Sequence, residues 1–236
     1  MRKRDYSLLC RSRGLTKSSI LRWSLWAARR CRSVLALPGR RVYFNDLTRG
    51  CELNSLAGQL LVAMPQMQDH RFQRSVLYLC AHNQEGAMGL VLNKLIGELT
   101  LPELLVQLDI SASGLVGAPR IHFGGPVESG RGFVLHSADY TEKDSLTVGD
   151  NLALTATLEI LRAIGRGEGP RKSLLALGYA GWGPGQLDSE LQQNGWLHAP
   201  ADEAILFDVE LESKWQRALG KLGVELSMLS GDAGHA

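Results

Sequence analysis

No run of about 18 apolar residues, the length a helix needs to cross a bilayer, occurs in the 236-residue chain, so no membrane-spanning helix is expected. Cysteine is scarce. Of four cysteines, Cys10, Cys31 and Cys51 fall in or beside a basic N-terminal stretch, and only Cys80 lies well inside the remainder of the chain. That number and spacing exclude a disulfide framework for a domain of this size and fit a reducing, cytoplasmic setting. CxxC and HxxxH pairs are missing, as are the GxSxG elbow, the dinucleotide fingerprint and the Lys-Ser/Thr phosphate loop. Acidic residues are nearly missing from the first 49 positions, where thirteen Lys and Arg face only Asp5 and Asp46, a net +11. Residues 50–236 carry 13 basic against 22 acidic residues, a net −9.

Two different polymers are therefore joined near residue 50. The basic stretch offers Ile20 to Ala28 as its best secretory core, but Arg22 interrupts it and no small-residue cleavage site follows. Its Arg-rich, Ser-containing, acid-poor composition also suits an organelle transit peptide or a solvated tail. A start assigned too far upstream explains it best, and residues 1–49 are expected to be a disordered or spurious extension outside a single domain of residues 50–236. With 44% hydrophobic residues over its 236 positions, the chain has enough apolar side chains for a sizeable core.

The domain is organised around Leu174 to Trp196, where an apolar run (Leu174, Leu175, Leu177, Tyr179) predicts a buried strand. Gly178, Gly181, Gly183 and Gly185 predict a sharp turn, and Pro184, Leu187 and Leu191 a helix closed by Asn194-Gly195. In chain order, Gln59 to Met64, Ser75 to His82 and Met88 to Asn93 read as strands, the last two forming a hairpin. Leu101 to Leu108 reads as a short helix with Pro102 in its first turn. Arg120 to Phe123 and Gly132 to Ser137 form a second hairpin across GGPVESGRG. A longer helix capped by Asp150 or Asn151 is expected to run to about Ile164, short apolar pieces fall at 196–198 and 204–207, and a last helix covers Glu212 to Leu222. A small-residue tail begins at Ser227. Early hairpins with single helices later predict an α+β fold with a mainly antiparallel sheet.

Four strings occur in this order: MGLVLNK (Met88 to Lys94), HFGGPV (His122 to Val127), FVLHS (Phe133 to Ser137) and LGYAGWGPGQLDSE (Leu177 to Glu190). Together they resemble the bacterial YqgE/AlgH proteins, also called UPF0301 or DUF179, over about residues 55–230. The resemblance implies one domain whose mainly antiparallel sheet folds into an open pseudo-barrel with helices packed outside. It has no counterpart for the basic stretch. Leu95 and His70 stand where the resembled proteins often carry proline, which touches two turns and no chemistry. The resemblance brings no catalytic residue and no cofactor, and its label of transcriptional regulator attaches to a few members.

Among candidate sites, the turn at Gly181, Gly183 and Gly185 could present backbone N–H groups and a helix N-terminus to an anion, and Gly124-Gly125 could act as a second ligand loop. Tight packing is the competing explanation for all five. Trp182 is either folded over the turn or left out as a contact for a partner. Cys80 and His82, two apart on one strand, could join His122 and His136 in a metal site or a hydrolytic centre, with Ser137 and Asp139 adjoining. Hydrogen-bonded strand-end histidines are the plainer reading, and no metal or cofactor is assigned. Asp188, Glu190 and Glu128 read as solvated acids.

The leading expectation is a cytoplasmic, non-catalytic regulatory module binding a protein partner or a small anionic ligand. A hydrolase or metal enzyme would need Cys80, His82, His122 and His136 to converge. A nucleic-acid regulator would draw on the +11 stretch and a local cluster of Arg162, Arg166, Arg171 and Lys172, against the repulsion of a domain at −9.

Overall fold

The computed structural model describes residues 55–223, together with the backbone of two short strands. These strands, β1 (Val34–Leu37) and β2 (Arg40–Tyr43), pair antiparallel as a sheet of their own. The rest of residues 1–49, expected as a disordered or spurious extension, and the tail expected from Ser227 lie outside the described residues.

The main sheet has ten strands: β3 (Gln59–Ala63), β4 (Val76–Asn83), β5 (Gly86–Val91), β6 (Leu95–Thr100), β7 (Arg120–Phe123), β8 (Val127–Ser137), β9 (Leu146–Val148), β10 (Leu152–Thr155), β11 (Ser173–Trp182) and β12 (Trp196–Pro200). Along its main path the order is β12-β3-β4-β5-β11-β8-β10-β9, with β7 joining β11 and β6 joining β7. All pairings are antiparallel except β7 with β11. Five helices accompany it among the described residues: α1 (Leu101–Gln107), α2 (Leu158–Arg166), α3 (Gln186–Gln192), α4 (Glu203–Leu206) and α5 (Leu211–Lys221). The α+β fold is thus a curled, mainly antiparallel half-barrel.

Side-chain alternation gives the sheet two apolar faces. One face of the sheet buries a single continuous cluster containing Leu60, Tyr78, Leu90, Phe133, Leu154 and Ala176, closed by Ile205 of α4 and Trp215 of α5. The other face carries two separate clusters. Leu104 of α1 and Leu161 of α2 cover Val134 and Leu175 on one wing, while Leu187 of α3, with Trp182 and Trp196, covers Leu61, Leu79 and Val91 on the other. Each large aliphatic or aromatic side chain withdrawn from water contributes about 1.5–3 kcal/mol. β11 is shared by both wings, since it pairs with β8 at Ser173–Tyr179 and with β5 at Ala180–Trp182.

Three expectations are corrected. Arg120 to Phe123 and Gly132 to Ser137 form no hairpin, because β7 and β8 each pair with β11 and not with one another. The helix placed from Asp150 or Asn151 begins only at Leu158, because Leu152 and Leu154 belong to β10, paired with β8. Thr157 is the cap, its Oγ1 accepting from the Ile160 N–H, and Gly167 ends the helix at φ 76°. The strand expected to stop near Tyr179 continues to Trp182, so Gly178 and Gly181 are strand residues and the turn starts at Gly183.

Candidate functional site

At the end of β11 the chain turns through Gly183, Pro184 and Gly185 into α3, whose spacing places Gln186 and Glu190 on one side. Gln186 Oε1 accepts from the Gly183 N–H at 3.0 Å and its Nε2 donates to Glu190 Oε1 at 2.8 Å. The other oxygen, Oε2, accepts from Trp182 Nε1 at 2.9 Å and from Trp196 Nε1 at 2.8 Å. The indoles meet edge to face at 5.9 Å, and Phe72 adds another edge contact to Trp196 at 5.7 Å. Glu190 is therefore the pin of a polar and aromatic clasp, and the reading of it as a solvated acid is corrected. Of the two readings of Trp182, packed over the turn or exposed as a partner contact, its 3% exposure fits the first. The N–H of Gly183 is already taken by Gln186 and is not free for an anion. Gly185 has φ 68° with open space around it, and Gly183 also has room for a side chain.

Gly124 and Gly125 serve a different purpose. A Cβ at Gly124 would stand 2.1 Å from the Gly178 carbonyl oxygen, and one at Gly125 would stand 2.1 Å from the Tyr179 carbonyl carbon. Backbone crosses backbone here, and a register shift in β11 between Leu177 and Tyr179 accompanies the crossing. The ligand-loop reading of Gly124-Gly125 gives way to close packing.

The Cys and His candidates do not share a face. In β4 the register shifts between Leu79 and Ala81, so the bulge places Cys80 and Ala81 together in the single continuous cluster. His82 then points to the opposite face, contrary to simple alternation. There its Nδ1 accepts from the Leu56 N–H at 3.2 Å and its Nε2 stands 3.5 Å from Asp188 Oδ2. His136 lies on the α2 wing: Nδ1 donates to the Ser137 carbonyl at 2.9 Å and Nε2 accepts from Thr155 Oγ1 at 2.8 Å. Thr155 in turn meets Ser145 Oγ at 2.6 Å. Burial holds His136 below its ordinary range and pushes the Cys80 thiol well above its own.

His122 faces α5. Burial, with Lys214 beside it, lowers its pKa to about 4, and Nδ1 is buried without a hydrogen-bond partner. Lys214, fully enclosed on α5, donates to the Leu206 carbonyl at 3.1 Å and approaches the Leu92 carbonyl at 3.5 Å. Burial lowers its pKa to about 8. The sequence reading missed Lys214, although its place one turn before Ala218 on the inward stripe of α5 was a signal. Among the described residues no group of three or more His, Cys, Asp or Glu is arranged to hold a metal ion.

The cationic cluster considered for nucleic acid is neutralised residue by residue. Arg162 meets Glu159 at 2.9 Å, Arg166 meets Glu168 at 2.6 Å, Arg171 meets Asp139 at 3.3 Å and Lys172 meets Glu203 at 2.5 Å. Elsewhere, a cleft of about 550 Å³ opens between the β3–β4 loop and the residues after β5, lined by Pro65, His70, Gln73, Arg74 and Lys94. Lys94 Nζ donates to the Arg71 carbonyl at 2.7 Å and the His70 carbonyl at 3.5 Å, and burial holds it below the usual lysine range. Lys94 closes the string MGLVLNK, but nothing local in the sequence brings Arg74 to it.

Among known proteins, the UPF0301 protein of Afipia carboxidovorans is 56% identical over 189 residues, covering 77% of this chain and 90% of its own. That of Methylobacterium sp. (strain 4-46) is 57% identical, with the same coverage of both chains. The solution structure of the AlgH protein from Pseudomonas aeruginosa, 45% identical, matches 80% of this chain and all of its own with a TM-score of 0.63. A Corynebacterium diphtheriae protein, DIP2367, is 20% identical and shares the fold at a TM-score of 0.61. No described helix is long and apolar enough to cross a membrane. Together with a half-barrel on which all four resembling strings fall, the match of residues 60–227 to the family model described as "DUF179: AlgH-like" shows that the chain belongs to the AlgH-like family.

Proposed function

We propose that the protein is a cytoplasmic, non-catalytic regulatory module that acts by binding a small anionic ligand or a protein partner. The observation that carries this reading is the dispersal of its reactive side chains. His82 pairs with α3, His122 faces α5, and His136 is tied to Thr155 on the α2 wing. Catalysis by these groups would need them within hydrogen-bond reach of one reacting atom. Cys80, in the single continuous cluster, is protonated by virtue of its burial and is a poor nucleophile. Regulation through nucleic acid draws no support from the cluster around Arg166, whose charges are spent on neighbouring carboxylates.

Incubating the full chain with a metabolite extract of its host, followed by mass spectrometry of both bound and free fractions, tests this. A binding module retains ligands at up to one equivalent and leaves the free pool constant over hours. Protein-dependent, time-dependent depletion of a metabolite, abolished by His82→Gln, His122→Gln, His136→Asn or Cys80→Ala, would overturn the reading.

A further inference from the structure

We propose that the cleft between the β3–β4 loop and the residues after β5 is a binding site for a small, polar phosphate monoester, gripped by Arg74 and Lys94 with His70 and Gln73. The proposal rests on the reading of the protein as a binding module and supplies its ligand class and location.

Charge singles the cleft out. Of the thirteen Lys and Arg between residues 55 and 223, eight stand within 4.0 Å of a carboxylate. Arg74 and Lys94 have no such partner among the described residues, yet they line the same depression, and none of the five lining residues is acidic. Asp69 is close enough to act on Lys94 electrostatically, but both its oxygens bind Arg71 at 2.6–3.1 Å. Two cations converge without an anion between them in a domain that is otherwise acid-rich.

Geometry indicates the chemistry. Two Lys94 protons are directed to the His70 and Arg71 carbonyls, which fixes the ammonium and leaves its third N–H for a ligand. The Arg74 guanidinium lies over the Trp215 ring, 5.7 Å from its centroid, a stacking that leaves its N–H edge free to fork onto two oxygens. Donors from a loop and from a strand end then surround one tetrahedral oxyanion, for which Arg and Lys together are the standard protein partners. A volume of about 550 Å³ leaves room for an organic remainder beyond the phosphate, within the usual range of small-molecule sites. Its lining is polar apart from Pro65 and offers no Phe, Tyr or Trp face for a base, which favours a sugar-like remainder over a nucleoside.

The test is a titration of the full-length ¹⁵N-labelled chain with glucose 6-phosphate, with inorganic phosphate, acetate and glucose as separate arms. Glucose 6-phosphate should shift the amides of Gln73, Arg74 and Lys94 saturably, inorganic phosphate more weakly and glucose not at all. Arg74→Gln and Lys94→Met should each weaken binding about tenfold, as for loss of one charge-assisted contact, while Arg171→Gln leaves it unchanged. Because Lys94 also holds two loop carbonyls, Arg74→Gln is the variant that isolates ligand contact from folding. Shifts confined to residues 1–49, acetate binding as tightly as the ester, or Arg74→Gln binding as wild type would each overturn the site. None of these outcomes bears on whether the protein consumes metabolites, so the two proposals fail separately.

Discussion

Where the Gly124-Gly125 link leads from β7 into β8, it passes Gly178 and Tyr179 of β11 with peptide against peptide; at Gly183 and Gly185 the chain turns through open space. In sequence the two stretches are alike, short glycine pairs beside a proline. Their physics is opposite. At the crossing, an added Cβ meets backbone that cannot yield. At the turn the constraint is at most the sign of φ, and stability comes from side chains, through Glu190 and the indoles of Trp182 and Trp196. Glycine in the first region is a steric requirement, and in the second a conformational convenience.

The largest effect expected is at the crossing. Gly125→Ala combines φ 155° with contacts of 2.1–2.3 Å to the Tyr179 carbonyl and the Ala180 nitrogen. It should destabilise the domain by more than about 4 kcal/mol, in the range reserved for core strain, and yield little folded protein by circular dichroism. A variant that melts within a few degrees of wild type would break the contrast between the regions.

The crossing is also the acid-sensitive side of the molecule. His122, just ahead of Gly124, takes up its proton near pH 4 when folded and near 6.5 when unfolded. The unfolded chain therefore binds more protons in that window, and stability present above pH 6.5 is lost as pH falls towards 4, by up to about 3 kcal/mol. Urea unfolding of wild type and His122→Gln at pH 7 and pH 4.5 isolates this share, because the glutamine does not titrate and its amide suits the Leu92 carbonyl. Equal pH dependence in the two proteins would move the acid sensitivity elsewhere.

At the turn, Glu190→Gln should cost about 2 kcal/mol. It replaces a carboxylate accepting three N–H groups with a neutral amide, and charge-assisted bonds are roughly twice as strong as neutral ones. Tryptophan fluorescence should report it directly, since both indole N–H groups lose a charged acceptor. An unchanged spectrum and melting temperature would mean that the clasp holds by ring packing alone.

Much of this contrast was out of reach of the sequence. Apolar runs such as Met88 to Asn93 and Phe133 to Ser137 identified central strands because burial on both faces leaves no polar alternative. The spacing of Trp215 and Leu219 likewise revealed α5. Parity was lost at Cys80 and Gly178, where a single bulged residue changes which face the following side chains occupy. Leu152, Leu154, Leu158 and Leu161 satisfy a strand and a helix in succession, and only the threonine cap at 157 divides them. The half-exposed β6 and three-residue β9 lack any apolar run. Arg74 and Lys94 meet because a loop folds back on a strand end, a tertiary event without a local signature.

The smallest effect is the most discriminating. Within the β11–α3 turn the structure separates Gly183 from Gly185. At Gly185 φ is 68°, and although nothing lies within 4 Å of an added Cβ, an alanine there should cost about 1 kcal/mol for its backbone alone. Gly183 is not in the positive-φ region, and its added Cβ would meet only Gln186 Oε1, at an ordinary 3.8 Å. Gly183→Ala should therefore stay within about 0.5 kcal/mol of wild type, and by narrowing the unfolded ensemble it can even stabilise slightly. Thermal melts of the two variants beside Gly125→Ala give a graded series. If Gly183→Ala proved as damaging as Gly185→Ala, the turn would be constrained by more than φ, and the open space around it would be filled in the working protein.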